Sequence, residues 1–551
     1  MIDPKKATVG IYGIQDRDVF DHPYFVHDHS IVVMENGRVK DFLELERYTG
    51  KKNDNRMHFY IDDLVSQKKL FDPNKFDLVF TDNVVGRCFI SSTGKIRFEG
   101  ESISHLPVDP KQTKCWWFGK QTNAYGISHE LAHVFSCLPF CGKFKNNSLL
   151  VHFDGGASVS NFSAWIYKNG KVKLIEANWD LKTISSFFNA NALSFAAVKS
   201  KMAEQNSVPG KLMGLSAFGK YRSEIEEWLR EHNYFQDAWH SKKHFYREAA
   251  SRFNQEKNHI DNTEPFIQDI MATMQLMFEK KLIKKLRQLQ EKTNARFLYY
   301  TGGSALNIKT NSLLETEALF DEIFIPPCTN DSGLALGAAS YLEFLKHRQI
   351  AYHTPYINNW GIEEYQVSYS LKDIEIIAEI LLQKKVLGIC NSYSETGPRA
   401  LGNRSIIALA NSKTLAEKVS RKCKKREWYR PLAPVMLEKN LAYFTGKQEI
   451  SKLSKYMLRD FHILPDRYDE IKGALHIDRT ARIQTIAKKE ENPFLYDLLS
   501  YLDQEKMLKA LINTSFNQRG KPMVHSTKDA FRSAVNMGLN GVILNGKLFL
   551  L

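Results

Sequence analysis

Apolar and polar positions follow one another in the same order in two stretches of the chain. The first joins the apolar run TVGIYGI (8–14) to HSIVVMENGRVKDFLELER (29–47), and the second is NSLLVHFDGGASVSNFSAWIYKNGKVKLIEAN (147–178). Each stretch contains an Asn-Gly pair between two apolar runs, which is a strong short-range signal for a β-hairpin. The pattern therefore predicts a buried strand followed by a hairpin in each of the two stretches.

The region after the second hairpin alternates between helical and strand patterns. Residues 262–292 have apolar positions three and four apart and a Lys-rich polar side, which predicts a long amphipathic helix. ARFLYYTGGSALN (295–307) and DEIFIPPCTNDSGLALGAASYLEFL (321–345) each predict a strand, a loop and a helix, the last opening near Asp331. Glycine-rich junctions of this kind expose backbone N–H groups to phosphate. With the repeated hairpins, they predict a duplicated α/β nucleotide-binding fold of the actin and sugar-kinase type.

The chain is long enough to form more than one domain. With 551 residues it exceeds the size of an ordinary single core. Periodicity lapses between residues 347 and 368, and helix and strand patterns resume from residue 371 to the C-terminus. We therefore predict a first domain over residues 1–355 and a smaller α/β domain over residues 356–551.

Composition and cysteine usage narrow the class of protein. The chain is 43% hydrophobic and 25% charged, and no apolar run reaches the roughly 18 residues of a membrane span. The N-terminal residues lack the pattern of a secretory signal. Seven cysteines, with no CxxC pair, argue against a disulfide framework or a structural zinc finger. We expect a cytoplasmic protein that does not enter a membrane.

The net charge of +14 indicates anionic partners. The densest basic cluster is RKCKKREWYR (421–430), and the remaining charge is spread along the chain. Nucleotides, phosphates and nucleic acid are all compatible with such a charge, and so is a basic protein that binds none of them.

Two histidines and two aspartates form a candidate metal site. His129 and His133 stand four residues apart in GISHELAHVFSC (126–137), so on a helix they would share one face. Asp154 ends a predicted strand and Asp331 begins a predicted helix; together the four residues would suit iron(II) or zinc. The alternatives are two ordinary helix histidines, a turn-forming Asp154 and an N-capping Asp331. HELAH also fits the HExxH pattern of zinc proteases, but nothing else in the sequence supports that reading.

Short segments along nearly the whole chain occur in the order of one enzyme family. They include SHELAHV, FDGGAS, YTGGSALN, PPCTNDSGLALGAA, SETGPRALGNRSIIA, KKREWYRPLAPVM, LHIDRTARIQTI and INTSFNQRGKPMV. By these segments the chain resembles the O-carbamoyltransferase family of antibiotic and nodulation-factor biosynthesis. The chain departs from the family at GLSAFG (214–219), usually GLAPYG, at Arg479, usually glycine, and at Ser128, commonly histidine.

The resemblance implies two domains and a two-step reaction. The first domain would have the ASKHA fold of threonylcarbamoyl-transferring enzymes, and the second would be YrdC-like. The second would make carbamoyl-adenylate from carbamoyl phosphate and ATP, with magnesium. The first would hold the intermediate at a divalent metal, iron(II) or zinc, and transfer the carbamoyl group to the hydroxyl of a small molecule, sugar or nucleoside.

The same resemblance implies roles for individual residues. The second domain would bind carbamoyl phosphate and ATP through Arg399, Arg404, Lys424, Arg426, Arg430, His476, Arg482, Asn513, Ser515 and Asn517. In the first domain, catalysis would involve His27, Asp154 and either Lys51 or Lys52, and the adenylate would contact Lys211, Gly214, Gly302, Gly303 and Asn307. The metal ligands would be His129, His133, Asp154 and Asp331. For any one arginine, a solvated surface charge is the alternative.

Other functions stay open at this point. A tRNA threonylcarbamoyladenosine-type enzyme would share much of this chemistry, and a sugar-kinase-type enzyme would release ADP instead of pyrophosphate. A nucleic-acid-binding protein would need neither the histidines nor Lys424 and would show salt-sensitive binding. The sequence does not identify the acceptor or the oligomeric state.

Overall fold

The computed structural model describes residues 3–14, 26–83, 86–101, 105–181, 184, 206–232, 238–255, 261–363, 366–448 and 450–551, and structural statements below refer to these residues. The strands are Ala7–Tyr12 (β1), Ser30–Glu35 (β2), Arg38–Glu44 (β3), Phe76–Thr81 (β4), Cys88–Ile90 (β5), Ile96–Glu99 (β6), Lys111–Trp117 (β7), Lys120–Ile127 (β8), Ser148–Phe153 (β9), Phe162–Lys168 (β10), Lys171–Asn178 (β11), Phe297–Thr301 (β12), Glu322–Phe324 (β13), Leu387–Cys390 (β14), Arg404–Leu409 (β15), Ala433–Leu437 (β16), Phe461–His462 (β17), Thr480–Ala481 (β18), Gln484–Ile486 (β19), Ala510–Ser515 (β20), Gly541–Leu544 (β21) and Lys547–Leu550 (β22). The α-helices are Leu45–Thr49 (α1), Met57–Gln67 (α2), His129–Phe135 (α3), Leu138–Cys141 (α4), Val208–Ser216 (α5), Ser223–Glu231 (α6), Ala238–Phe253 (α7), Pro265–Thr293 (α8), Ile308–Thr316 (α9), Leu334–His347 (α10), Leu371–Leu382 (α11), Lys413–Glu417 (α12), Leu441–Thr445 (α13), Tyr468–Ile471 (α14), Pro493–Lys506 (α15) and Thr527–Met537 (α16).

Two sheets of the first domain share one strand arrangement. The first runs β3-β2-β1-β4-β8-β7-β6-β5, and the second runs β11-β10-β9-β12-β13. In each, an antiparallel three-stranded unit continues into parallel strands, β1 to β4 and β9 to β12. This internal duplication confirms the predicted ASKHA-type α/β fold.

Both predicted Asn-Gly hairpins are present. Asn36-Gly37 and Asn169-Gly170 have positive φ at both residues (51° and 71°, 53° and 75°). Positive φ at both central positions matches the right-handed twist of the flanking strands, and Asn and Gly tolerate it best. The predicted amphipathic helix is also confirmed as α8, with Pro265 in its first turn.

The smaller domain is built on a seven-stranded mixed sheet. Its strand order is β19-β16-β20-β15-β14-β21-β22, with α11, α15 and α16 packed on it. The predicted boundary at residue 355 lies between the end of α10 and the start of α11. A π-helical segment, Lys418–Cys423, ends directly before Lys424. Among the described residues, no helix combines the length and hydropathy needed to cross a membrane.

The helix that carries the two histidines, α3, is packed tightly against α10. A Cβ atom added to Gly337 of α10 would lie 1.7 Å from the carbonyl oxygen of Ala132 in α3. Real atoms cannot approach so closely, so glycine at this position permits the helix contact. The close contact fixes α3 relative to the turn that precedes α10.

Changing Gly337 to alanine is therefore expected to push α3 away from α10 and to lower the free energy of unfolding by about 3 kcal/mol. Thermal or denaturant unfolding measures this loss. The matched control is Gly210→Ala, because Gly210 is exposed in α5 and a Cβ there meets nothing within 4 Å. Equal stability of the two variants would contradict the proposed role of the contact.

Candidate active site

The two predicted histidines face each other at the start of α3. Ser128 caps this helix, because its Oγ accepts a hydrogen bond from Leu131 N at 3.4 Å. His129 and His133, one turn apart, bring their Nε2 atoms to 3.0 Å, and both side chains are buried. The chain's departure from the family pattern at Ser128 thus supplies the helix cap.

Both predicted aspartates meet these histidines. His133 Nε2 lies 3.4 Å from Asp331 Oδ1 and 3.7 Å from Asp154 Oδ2, and His129 Nε2 lies 3.6 Å from Asp331 Oδ1. Asp154 follows β9, and Asp331 lies in a short 3₁₀ turn before α10 without capping a helix. The structure therefore brings all four predicted metal ligands into one cluster.

The charge balance of this cluster favours an ionised Asp331. Burial alone would raise its pKa, but His27 and His129 hold the pKa of Asp331 well below its usual range. Burial opposes charge on His129 as well, yet the Asp331 carboxylate raises the pKa of His129. Tyr12 donates a hydrogen bond to Asp331 Oδ2 at 3.1 Å and orients the carboxylate.

His27, which is predicted to be catalytic, lies at the edge of the cluster. Its Nδ1 is 3.3 Å from Asp28 Oδ2 and 3.9 Å from Asp331 Oδ2. Burial favours the neutral ring, but Asp331 and Asp28 outweigh it and raise the pKa of His27 to about 9. A cation bound to Asp331 would weaken this effect, because it would compete for the same carboxylate.

Lys52 is better placed than Lys51 for a role at this site. Lys52 Nζ pairs with both carboxylate oxygens of Glu46, at 2.9 and 2.7 Å. Burial lowers the pKa of Lys52, but Glu46 and Asp28 outweigh it, so the net change is upward. Lys51 is exposed. Since Asp28 also contacts His27, Lys52 belongs to the same charge network.

The glycine pair predicted to approach a nucleotide lies beside Asp154. Gly302 has φ +96°, and a Cβ there would lie 2.2 Å from Phe153 O. Gly303 N donates to Asp154 Oδ2 at 2.5 Å. Gly303 therefore holds the carboxylate in the candidate metal cluster, and the adenylate contact of the pair stays a prediction.

Asn307, another predicted adenylate contact, is occupied within the protein. Its Oδ1 accepts from Thr310 N as the cap of α9, and its amide exchanges two 3.0 Å hydrogen bonds with Gln275. The structure gives Asn307 the role of joining α8 to α9 in place of the expected ligand contact.

The second domain contains a cluster of four half-buried arginines. They are Arg399, Arg426, Arg430 and Arg482. Burial and repulsion from Arg430 and Arg426 lower the pKa of Arg399 to about 10. Burial and neighbouring arginines also lower the pKa of Arg426 and Arg482 well below their usual range. Mutual repulsion of this kind is relieved by a bound polyanion, so the cluster fits a phosphate-binding site.

Few acidic groups offset this positive charge. Arg430 pairs with Glu427 at 3.3 Å, whereas the guanidinium groups of Arg399, Arg426 and Arg482 form no salt bridge with another described residue. The Nε atoms of Arg399 and Arg482 are buried without a hydrogen-bond partner in the described protein. Unpaired buried donors are costly, and phosphate oxygens would satisfy them.

Lys424 joins the predicted Lys-x-Arg and Ser-x-Asn motifs. Its Nζ lies 3.2 Å from Ser515 Oγ and 2.7 Å from Asn517 Oδ1. Burial and repulsion from Arg426 lower the pKa of Lys424 well below its usual range. The two motifs therefore meet beside the arginine cluster, as the sequence predicted.

Arg404 has a structural role, in contrast to the predicted binding of carbamoyl phosphate or ATP. Its five N–H donors contact backbone carbonyl oxygens of Asn391, Ser392, Asn403 and His525 at 2.8–3.1 Å. The side chain is 1% exposed. With every donor used, its guanidinium group ties loops together and has none left for a ligand.

Asn513 has a similar structural role. Its side-chain amide donates to Ala400 O at 3.2 Å and to Gln484 Oε1 at 2.6 Å, and it is buried. These bonds hold the loop that carries Arg399. Asn513 thus holds this loop through its NH2 group, while its Oδ1 is buried without a hydrogen-bond partner in the described protein, so its predicted ligand contact stays a prediction.

Residues of the first domain reach the second beside the arginine cluster. Lys211 Nζ lies 3.0 Å from Glu427 Oε1, and Gly214 packs against Tyr429. His476 Nε2 lies 3.3 Å from the same Tyr429, at its carbonyl oxygen. The predicted contacts Lys211, Gly214 and His476 therefore meet at the domain interface.

Comparison with known protein families matches the two domains of the chain separately. Residues 119–340 match the family described as "Carbamoyltransferase N-terminus", and residues 378–550 match "Carbamoyltransferase C-terminus". The chain belongs to the carbamoyltransferase family. It is thus a carbamoyl-transferring enzyme, and the family resemblance seen in the sequence is confirmed.

Several relatives of this carbamoyltransferase are known. Nodulation protein U of Azorhizobium caulinodans is 25% identical and covers 90% of the chain and 92% of its own length. Nodulation protein NolO of Bradyrhizobium diazoefficiens is 30% identical over 51% of the chain and 54% of its own length. Uncharacterized protein MJ1058 of Methanocaldococcus jannaschii is 26% identical over 78% and 74%.

The carbamoyltransferase site also contains a histidine that the sequence analysis missed. His152, two residues before Asp154 in β9, is buried with its ring stacked on His133 at a centroid distance of 5.1 Å. The signal was available, because residues two apart in a strand point to the same face. Burial, His133 and His129 lower the pKa of His152 well below its usual value, so its imidazole is neutral.

The residues of the carbamoyltransferase site fit a divalent cation. Ligand atoms of His133, Asp154 and Asp331 lie within 4.8 Å of one another, and so do those of His129, His133 and His152. Imidazole nitrogens and carboxylate oxygens are the donor set that iron(II) and zinc accept. Glu130 of the HExxH pattern points elsewhere, since it accepts from Val159 N and Ser160 N.

Proposed function

We propose that this carbamoyltransferase forms carbamoyl-adenylate at the arginine cluster and transfers its carbamoyl group to an acceptor hydroxyl at the histidine–aspartate cluster. The observation that carries the proposal is the presence, in one chain, of a poorly neutralised arginine site and a separate metal-ligand site. The first suits substrates with many phosphate oxygens, and the second suits an activated carbonyl group.

Atom balance defines the first step. Water would cleave carbamoyl phosphate to carbamate and phosphate, and a carbamate oxygen would attack the α-phosphorus of ATP with loss of pyrophosphate. Arg399, Arg426 and Arg482 would contact phosphate oxygens and stabilise the charge on the leaving group. Lys424, held by Ser515 and Asn517, would lie beside them, and bound phosphate would favour its charged form. Magnesium would accompany ATP as it does in other nucleotide sites.

The second step would use the residues around α3. His129, His133, Asp154 and Asp331 would hold a divalent cation, which supplies Lewis-acid polarisation of the carbamoyl oxygen. The acceptor hydroxyl would attack the carbamoyl carbon and release its proton to water, the bond to the AMP oxygen would break, and AMP would leave. A protonated His27 and Lys52 would stabilise the phosphate charge of the departing AMP.

The acceptor is proposed only by class. A carbamate ester requires a hydroxyl group, so the acceptor would be a small molecule, a sugar or a nucleoside that carries one. The net charge of +14 is also compatible with a nucleic-acid acceptor. Salt-dependent binding of nucleic acid to the protein tests this alternative.

Product analysis tests the proposed function without knowledge of the acceptor. Purified protein is mixed with magnesium, ATP and carbamoyl phosphate, and pyrophosphate, ADP and AMP are measured while each substrate is omitted in turn. Pyrophosphate that requires both substrates is the expected result. ADP as the nucleotide product would instead indicate a kinase and would contradict the proposal.

A further inference from the structure

His152 has a buried nitrogen without a hydrogen-bond partner in the described protein, and its ring lies beside a cluster of ligand atoms. The side chain is 0% exposed, and its Nε2 has no hydrogen-bond partner in the described protein. A buried imidazole nitrogen without a partner is destabilising, and a bound ligand relieves this. Ligand atoms of His152, His129 and His133 all lie within 4.8 Å of one another. A metal ion bound among these atoms would give the buried nitrogen a partner.

The opposite nitrogen of His152 begins a chain of hydrogen bonds. Nδ1 lies 3.4 Å from Ser163 Oγ, which lies 2.9 Å from Ser160 Oγ, and Ser160 Oγ lies 3.0 Å from the Glu130 carboxylate. Since the carboxylate can only accept, the hydroxyls point toward it in sequence, and Ser163 Oγ is left to accept from His152 Nδ1–H. That tautomer leaves a lone pair on Nε2, as a metal ligand requires.

We propose that His152 is an additional ligand of the metal centre and binds the ion through Nε2. The centre then has three imidazoles, from His129, His133 and His152, together with carboxylate oxygen. This inference rests on the proposed metal-dependent transfer and deepens it.

The distances suit this coordination after a small side-chain movement. With metal–nitrogen bonds of about 2.1 Å, nitrogens opposite one another across an ion lie roughly 4.2 Å apart. The Nε2 atoms of His129 and His133 are already 3.0 Å apart, close to the separation of adjacent ligands. A ligand atom of His152 lies within 4.8 Å of ligand atoms of both histidines, so a side-chain movement that shortens these distances would let it share an ion with them.

A third imidazole changes which cations the site prefers. Nitrogen ligands favour zinc, iron(II) and cobalt(II), whereas magnesium and manganese prefer a site made of oxygens. The proposal therefore predicts that zinc and cobalt(II) bind far more tightly than manganese, and that this preference depends on His152.

The test compares metal binding by the wild type and His152→Phe, which keeps an aromatic ring against His133 and removes both nitrogens. Zinc and cobalt(II) affinities are measured by chelator competition, and the visible absorption of the cobalt(II) protein reports the ligand set. We expect His152→Phe to lose at least about tenfold in zinc and cobalt(II) affinity, with a changed absorption spectrum. An unchanged affinity and spectrum would overturn the proposal.

Two controls separate ligation from folding. His462→Ala removes an exposed histidine of β17 and is expected to bind both ions as the wild type does. Ser163→Ala removes the acceptor of Nδ1–H and is expected to weaken binding less than His152→Phe, because Nε2 stays. Equal losses in Ser163→Ala and His152→Phe would contradict direct ligation.

A measurement on the wild type alone covers the case in which His152→Phe does not fold. Electron spin echo spectroscopy of the protein loaded with copper(II) counts the coordinated imidazoles, and we expect three. Two imidazoles, with pyrophosphate formation and metal binding intact, would overturn the role of His152 while leaving the proposed function in place. Failure of the wild type to bind any of these ions would overturn both.

Discussion

Changing Arg426 to alanine is expected to reduce pyrophosphate formation from ATP and carbamoyl phosphate by at least about 100-fold. Arg426 lies among Arg399, Arg430 and Arg482, and burial with repulsion from Arg430 and Arg482 lowers its pKa well below the usual range. Phosphate oxygens bound at the site would relieve this repulsion, so Arg426 should contribute strongly to binding them. Pyrophosphate release under saturating substrates measures the effect.

Two further variants make the Arg426 result specific. Arg421→Ala removes the same charge from an exposed position five residues away and is expected to retain nearly full activity. Arg426→Lys keeps the charge but loses the planar guanidinium fork, so we expect an intermediate rate. If Arg421→Ala and Arg426→Ala lost equal activity, general charge would explain the effect and the binding role of Arg426 would be wrong.

Changing His129 to alanine is expected to separate the two steps. The protein should lose its bound zinc or iron, from about one ion per chain to a trace, and should stop transferring the carbamoyl group. Pyrophosphate release should stay within about twofold of the wild type, because the arginine cluster belongs to the other domain. Metal analysis and the pyrophosphate assay on one preparation measure both effects.

The control for His129→Ala is again His462→Ala, which should change neither quantity. Normal metal content in His129→Ala would contradict the ligand assignment. Parallel loss of metal and pyrophosphate release would instead show that the two sites do not act separately.

The hairpins and the long helix of the fold could be predicted from local sequence. Asn36-Gly37 and Asn169-Gly170 occupy backbone conformations that few residue pairs adopt, so the sequence carries the turn type itself. The spacing of apolar residues likewise predicts α8. Sheet order depends on contacts far apart in sequence, and family resemblance supplied what local patterns could not.

Site predictions were weakest where one residue type serves two purposes. Arg404 and Arg399 lie in the same short segment, yet every donor of Arg404 contacts a backbone carbonyl, while Arg399 keeps a buried unpaired Nε. The sequence does not distinguish an arginine that holds loops together from one that is available to bind an anion. The carbonyl oxygens that accept from Arg404 include one from a segment far away in the sequence. Gly303 illustrates the same limit, since its N–H donates to Asp154.

The sequence did contain a signal for His152, namely its spacing from Asp154. Asp154 directly follows the strand that carries His152, and in an extended chain a spacing of two places both side chains on one side. The His152 ring packs against His133 of α3. The spacing of four in the helix and the spacing of two at the end of the strand thus point to the same cluster.

The measurement that tests the central claim most directly is a search for carbamoyl-adenylate itself. The wild type is incubated without acceptor, with one radiolabel on the α-phosphorus of ATP and another on the carbamoyl carbon, and the quenched products are separated. We predict a single compound that carries both labels, formed together with pyrophosphate and reduced to background in Arg426→Ala. Label from ATP found in ADP, or in AMP without any compound that also contains the carbamoyl carbon, would contradict the account.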